Sequence, residues 1–421
     1  MPNSYFTNFQ TYLSVLRSGD YTKLAKLDFL NPDGSTAFTV DNGAGGPRRG
    51  ALLQDGTLSC NFQNGTRRTA VVTLSNLDEA YSYNINRLWF GQNIRLSEGL
   101  ILPDGTAFYI PQGVFSIRDP NETWRPGQKT ATLNLVDKWS YLDGTLFGNL
   151  DGIYEVPVGS DIFEVMSSVL ALDRGNGLPV DSMTPVYTTY YTGKTQELPD
   201  GTTAYLTDTP YTLRVDSDNG TYADVILGLN DMLVGVIGYD PNGRLRVEPS
   251  QDDLDDIDKE ILWEFSPTEK QLLGATYTVL NSQVYNDIII QGETQDDYAQ
   301  PSGRAQNTNP QSDLSIYGAL GLRTLRMSAA GYATDRQCQD LADWMLKRNC
   351  ILKKSVTIES SQIFHIQENK LVTIRRADKP GQPIERHLVT GFTRPIGQVG
   401  SMTIAATSVE DYNTTGTTTG T

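Results

Sequence analysis

The chain has 421 residues and a formal net charge of −16, with 38% hydrophobic and 20% charged residues. Such a length accommodates roughly two to four domains, and the charged fraction is too low for a disordered polyelectrolyte. The acidic balance argues against binding duplex nucleic acid through its phosphates, no apolar run reaches transmembrane length, and the N-terminal Met-Pro-Asn-Ser-Tyr-Phe lacks the basic and apolar regions of a secretory signal.

In chain order, Phe6, Phe9, Leu13 and Leu16 recur at helical spacing and predict a helix over 5–17. A hairpin-rich region follows. Asp-Gly occurs six times and Asn-Gly five times, all before residue 244, and these pairs supply the positive φ of tight turns. Alternating runs at 69–74, 108–117 and 130–136 predict strands between them. Leu-Pro-Asp-Gly-Thr occurs at 102–106 and again at 198–202, too short to establish a repeat. A second helix is predicted over 160–172, with Ser160 as N-cap and Ile162, Phe163, Val165, Met166 and Val169 as its apolar stripe. A third runs over 221–234 from Thr221, with Ala223, Ile226, Leu227 and Met232.

Residues 298–312 read as a long polar loop. A fourth helix is predicted over 334–347, capped by Thr334, with Cys338, Leu341, Ala342 and Met345 inward. Strands are then expected at 355–359, 362–367, 370–376, 386–393 and 401–408. The Thr/Gly-rich end after Tyr412 has nothing to bury and reads as a flexible tail. Charge divides along the same line as the turns: residues 1–297 carry a net −20 and residues 298–421 a net +4.

Few catalytic chemistries fit these residues. Cys60, Cys338 and Cys350 are too few and too widely spaced for a zinc site or a disulfide framework. His365 and His387 are the two histidines, with no HExxH and no Gly-x-Ser-x-Gly elbow. Gly43-Ala-Gly-Gly46 is followed by Arg48 where a dinucleotide fingerprint needs glycine, so no phosphate loop is indicated. Asp216-Ser-Asp-Asn-Gly220 has its glycine one place early for a calcium loop and reads better as a turn. The pairs Arg48-Arg49, Arg67-Arg68 and Arg375-Arg376 lack interleaved aromatics. Among 50 acids, carboxylate pairs for glycoside hydrolysis will occur by chance, without positive signal. The densest acidic run, Asp252, Asp253, Asp255, Asp256, Asp258 and Glu260, is either a solvated face or a wall of negative potential lining a lumen or interface.

The succession of elements resembles the hub proteins of tailed-bacteriophage baseplates and tail tips. The resemblance rests on the β region ending in Thr130–Gly144, the helix Asp161–Leu170, and Tyr222–Met232 followed by Ile237–Pro249. Val284–Gly292, the helix around Cys338–Leu346 and a closing β region complete it. It spans roughly 20–411 and depends on element order, not on an invariant motif.

The resemblance implies a mainly β fold with α+β insertions, in which two tube-protein-like β-barrel domains are interleaved with inserted domains. Mapped onto this chain, an N-terminal helical segment covers 1–19 and the first barrel 20–140. An inserted α+β domain covers 141–258. The second barrel is split into 259–297 and 351–411 around a helical insertion at 298–350, and the tail is 412–421. The resemblance further implies a non-enzymatic homotrimeric virion protein, assembled in the host cytoplasm, that adapts a hexameric tail tube to a threefold tip and closes or lines the DNA channel. Implied partners are the distal tail or tail tube protein, the tape-measure protein and tip or fibre proteins, without cofactor, metal or sequence-specific nucleic-acid binding. Any lytic domain is expected on another polypeptide. The competing expectations are a virion-associated glycan hydrolase and a host-glycan binding module.

Overall fold

The computed structural model describes residues 3–43, 51–52, 55–82, 92–189, 193–197, 203–233, 235–250, 260–292, 300–328, 332, 335–351 and 354–409. Helix α1 (Asn3–Ser18) leads into β1 (Lys23–Leu30), β2 (Thr36–Asp41), β3 (Gly56–Asn61), β4 (Arg68–Ser75), β5 (Asn93–Ile101), β6 (Ala107–Arg125) and β7 (Gln128–Asp137). The next region holds β8 (Tyr154–Val156), α2 (Ile162–Leu170), β9 (Val186–Tyr187), β10 (Thr195–Glu197), β11 (Thr203–Tyr205), β12 (Leu213–Val215), α3 (Tyr222–Leu233), β13 (Val236–Tyr239) and β14 (Leu245–Glu248). Then come β15 (Ile261–Phe265), β16 (Leu272–Val279), β17 (Asp287–Gln291), β18 (Ser302–Gln306), β19 (Thr324–Ser328) and α4 (Asp335–Asn349). The chain closes with β20 (Lys354–Ser361), β21 (Leu371–Arg375), β22 (Ile384–Ile396) and β23 (Ser401–Ser408). The protein is mainly β with helical insertions.

In the first β unit the hydrogen-bonded order is β3-β4-β7-β6-β5-β1-β2. The pair Ala51–Leu52 ties its ends together. Leu52 N donates to Asp41 O at the end of β2, and Ser75 N of β4 donates to Ala51 O. The sheet therefore curls into a barrel, which hides strand edges that would otherwise invite mispairing. In the second unit the order is β15-β21-β22-β23-β20-β16. Between the two, residues 138–250 fold over their own core, where Ile162, Met166 and Val169 of α2 meet Val225, Ile226 and Leu229 of α3. The strand β17 pairs with β18 and β19 as a separate three-stranded sheet, and α4 packs on it through Cys338 and Ala342.

Local chemistry explains the agreement with the sequence. Seven of the eleven Asp-Gly and Asn-Gly glycines hold positive φ: Gly34, Gly43, Gly65, Gly105, Gly144, Gly177 and Gly243. Gly56 is different. It lies in β3, where a Cβ would stand 2.7 Å from the Val71 carbonyl oxygen. The cap of α2 is Asp161, whose carboxylate accepts from Phe163 N and Glu164 N, one residue beyond the expected Ser160. Thr221 starts α3 through a reciprocal box with Asp224: Thr221 N and Oγ1 donate to its carboxylate, and Asp224 N donates back to Thr221 Oγ1. Asn219 takes φ 76°, in keeping with a turn there. The expected cap Thr334 and the tail after Tyr412 lie outside the described residues.

Two expectations need correction. Residues 300–306 are not loop throughout, because Ser302–Gln306 forms β18 against β17. Residues 362–367 are not a strand. Ile363, Phe364 and Ile366 are all buried, so neighbouring side chains do not alternate between two faces. The backbone carbonyls of Ile363 and Phe364 are instead satisfied by Arg394 Nη1 and Gln112 Nε2. Helix α1 packs on its own chain. Phe9 meets Phe108 of β6, Tyr12 Oη lies 3.0 Å from His365 Nδ1, and Gln271 Nε2 donates to Leu16 O.

Candidate functional site: a buried ionic seam between two β units

The long strand β22 belongs to both units. Its first part pairs with β21 and β23, and residues Gly391–Ile396 pair antiparallel with Asn61–Gly56 of β3. The contact is close: a Cβ on Gly391 would stand 2.7 Å from the Cys60 carbonyl oxygen. One continuous sheet thereby joins the halves.

Charged side chains inside the molecule bind the junction. Glu98 of β5 accepts from Arg394 Nε of β22 at 2.7 Å and pairs with Lys23 Nζ of β1 at 2.9 Å, and all three side chains are almost wholly buried. Lys23 also donates to Pro395 O at 2.6 Å and to Gln362 Oε1. Arg394 reaches Gln112 Oε1 and Ile363 O, with Phe364 and Phe392 under its guanidinium. Burial alone would raise the Glu98 pKa, but the two cations outweigh it and hold the carboxyl below its ordinary range.

A second cluster sits nearby. Glu368 accepts from Arg68 and from the Cys60 thiol and faces Arg67 Nη1 at 3.6 Å. Burial opposes its ionisation, yet Arg68 and Arg67 bring its pKa down to about 2. Asp137 accepts from Arg67 N, Arg68 N and Trp139 N. Burial still pushes it up to about 6. These groups are fixed by several partners each, which suits rigid positioning better than proton transfer.

The acidic run expected as a site is resolved at one end. Asp252, Asp253, Asp255, Asp256 and Asp258 lie outside the described residues. Glu260 is exposed and pairs with Lys370 Nζ at 2.8 Å. Glu98, Arg394 and Glu368 belong to no motif, and Arg67-Arg68 stands out in the sequence only as a basic pair, but strand parity marks Glu98, Arg68 and Arg394 as inward. Glu98 shares the inward parity of Ile94, Leu96 and Leu100; Arg68 shares that of Ala70, Val72 and Leu74; Arg394 lies between Phe392 and Ile396.

A cleft of about 690 Å³ opens where β6 meets residues 141–147 and 174–176. Arg174 stacks on Tyr141 at its edge, 4.5 Å from the ring centre. Among the described residues its lining contains a single carboxylate, Asp119, where glycoside hydrolysis uses a pair. Among the described residues no group of three or more His, Cys, Asp or Glu side chains is placed to hold a metal ion, and no helix is long and apolar enough to cross a membrane.

Two β units fused through a shared strand, with a helical region between them and a small α/β unit within the second, make up a fold also found in solved tail proteins. A tail protein from Neisseria meningitidis MC58 superposes with a TM-score of 0.58 at 10% identity, over 92% of this chain and 97% of that one. The 43 kDa tail protein of prophage MuSo2 from Shewanella oneidensis gives 0.54 at 9% identity, over 91% and 98%. A chain of the Francisella PdpA–VgrG complex gives 0.51 at 8% identity, over 98% of this chain and 61% of its own length. No family model and no curated protein matches the sequence.

Proposed function

We propose that the chain is a structural, non-enzymatic subunit of a phage tail tip or baseplate, and that it acts there as the hub. The observation that carries this reading is the single sheet running from one β unit into the other across a buried ionic seam. Such a seam makes two barrels one rigid body, which a load-bearing ring requires and a loosely hinged enzyme does not. The near end-to-end superposition on two tail proteins supports the same reading.

In this proposal three copies form a ring. The first barrel (20–140) and the second (259–297 with 351–411) alternate around it, giving six similar units that meet a hexameric tube on a threefold tip. The inserted domain (141–258) and the helical insertion (298–350) are carried on these barrels. The net −20 of residues 1–297, with the run Asp252–Glu260, would line the lumen and repel DNA phosphates so that the genome slides. The partners are then the tail tube, tape-measure and tip or fibre proteins, and the site of action is the virion, after assembly in the host cytoplasm. Light scattering at two concentrations tests the ring, with negative-stain images of the same sample. The expected species holds three 46.5 kDa chains around a central opening. A monomer at every concentration counts against it.

A further inference from the structure

Among the described residues, two exposed strand edges stand out. The first is β16, which pairs with β20 on one side, while no described strand lies on its other side. Its sequence, Leu-Leu-Gly-Ala-Thr-Tyr-Thr-Val, contains no charge and no proline. Leu273 is 61% and Val279 50% exposed, and Ala275, Thr276 and Thr278 are exposed as well. Natural sheets protect such an edge with lysine, proline, a bulge or a covering loop; β16 has an irregularity between Leu272 and Gly274, but from Gly274 to Val279 its register is regular and it carries no charged or proline guard.

The second is an arm. The last described pair between β6 and β5 is at Ser116; past the irregularity between Arg118 and Asn121, where Asp119 takes φ 44°, Asn121–Arg125 pair with β7 alone among the described strands. Residues 121–128 are all exposed, and Trp124 is 72% exposed near the tip. A two-stranded ribbon is marginal in water without further support.

We propose that the arm of one copy adds as a strand to β16 of the next copy. This rests on the ring reading above and names its contact. Chains of net charge −16 repel one another, so they associate best where charge is absent or opposite. Strand β16 is uncharged, and the arm from Arg118 to Lys129 carries three bases against two acids, so neither surface adds to that repulsion. Strand addition would satisfy both open backbones, with Trp124 covering apolar side chains of the receiving edge. Donor and acceptor are different surfaces, so the contact is head-to-tail, and the threefold rotation of the ring reading is what closes it.

The test uses the full-length protein. Thr276→Lys with Thr278→Lys places charge on the receiving edge, and Trp124→Asp removes the anchor. All three side chains are exposed, so the fold is retained, which an unchanged melting temperature of the monomer verifies. Both variants are expected to lose the oligomer by light scattering. In the native oligomer, amides of 272–279 and 121–125 should exchange about tenfold or more slowly than in the dissociated chain. Oligomers that persist in both variants, with both segments exchanging at unprotected rates, overturn the strand addition and leave the ring intact. A native protein that never associates overturns both.

Discussion

Removing Arg394 is the most direct probe of the seam. In Arg394→Met the aliphatic stem is largely kept over Phe364 and Phe392, but the guanidinium is lost. Glu98 then keeps only Lys23, while Gln112 Oε1 and Ile363 O each lose a donor. Breaking a buried ion pair from one side costs about 3–5 kcal/mol, because the remaining charge stays out of water. At about 2–4 °C per kcal/mol, the melting temperature should fall by roughly 6–20 °C. Glu98→Gln in the same background removes the stranded charge, so the double variant should be less destabilised than the sum of the singles by about 1–3 kcal/mol. Urea unfolding followed by circular dichroism and by tryptophan fluorescence reads both quantities. A cost below about 1 kcal/mol for Arg394→Met, or strict additivity with Glu98→Gln, would refute the claim that this pair couples the units.

Three further outcomes are expected. His365 is buried and its pKa is lowered from 6.5 to about 4. The unfolded chain therefore binds the proton first, and the stability present above pH 6.5 is lost as pH falls toward 4, by about 3 kcal/mol. His387, likewise lowered to about 4 by burial, adds to this slope, and Asp137, raised to about 6, opposes it; comparing urea midpoints at pH 7 and pH 4.5 between the native protein and His365→Gln should isolate the His365 share. Cys350 is half-buried whereas Cys60 and Cys338 are buried, with burial raising both of their thiol pKa values. A maleimide should label Cys350 first and Cys60 only at the unfolding rate; fast labelling of Cys60 contradicts the seam. A Cβ at Gly303 would stand 2.3 Å from the Cys338 carbonyl carbon. Gly303→Ala should push α4 off β18 and cost about 1–3 kcal/mol, read as faster amide exchange confined to 287–349.

All four described helices were legible because each depends on local spacing and turn chemistry. The box at Thr221 and Asp224 is written in four consecutive residues. The hairpins were legible for the same reason, since Gly34, Gly105 and Gly243 need only their own dipeptide. The segment 362–367 looked like a strand because its apolar residues cluster, but its conformation is set by Arg394 and Gln112, far away in sequence. The seam was hidden for a related reason. A charge inside a barrel is recognisable only once its strand partners are known, and Glu98 and Arg394 are brought together by pairings that no local rule supplies. The division of β22 between two units is likewise a property of the assembled sheet.

That division bears on how the protein is made. Gly391 and Asn61 are about 330 residues apart in the chain yet adjacent in the sheet. At about 5–20 residues per second, a ribosome that has finished β3 needs roughly half a minute to deliver its neighbour. His365, the partner of Tyr12 in α1, also arrives late. The first unit therefore leaves the exit tunnel without the strand that covers its β3 edge and without the residue that seats its helix. Productive synthesis depends on a nascent chain that stays soluble in this unfinished state, and a truncation before β22 should be a substrate for chaperones and proteases, not a smaller working domain.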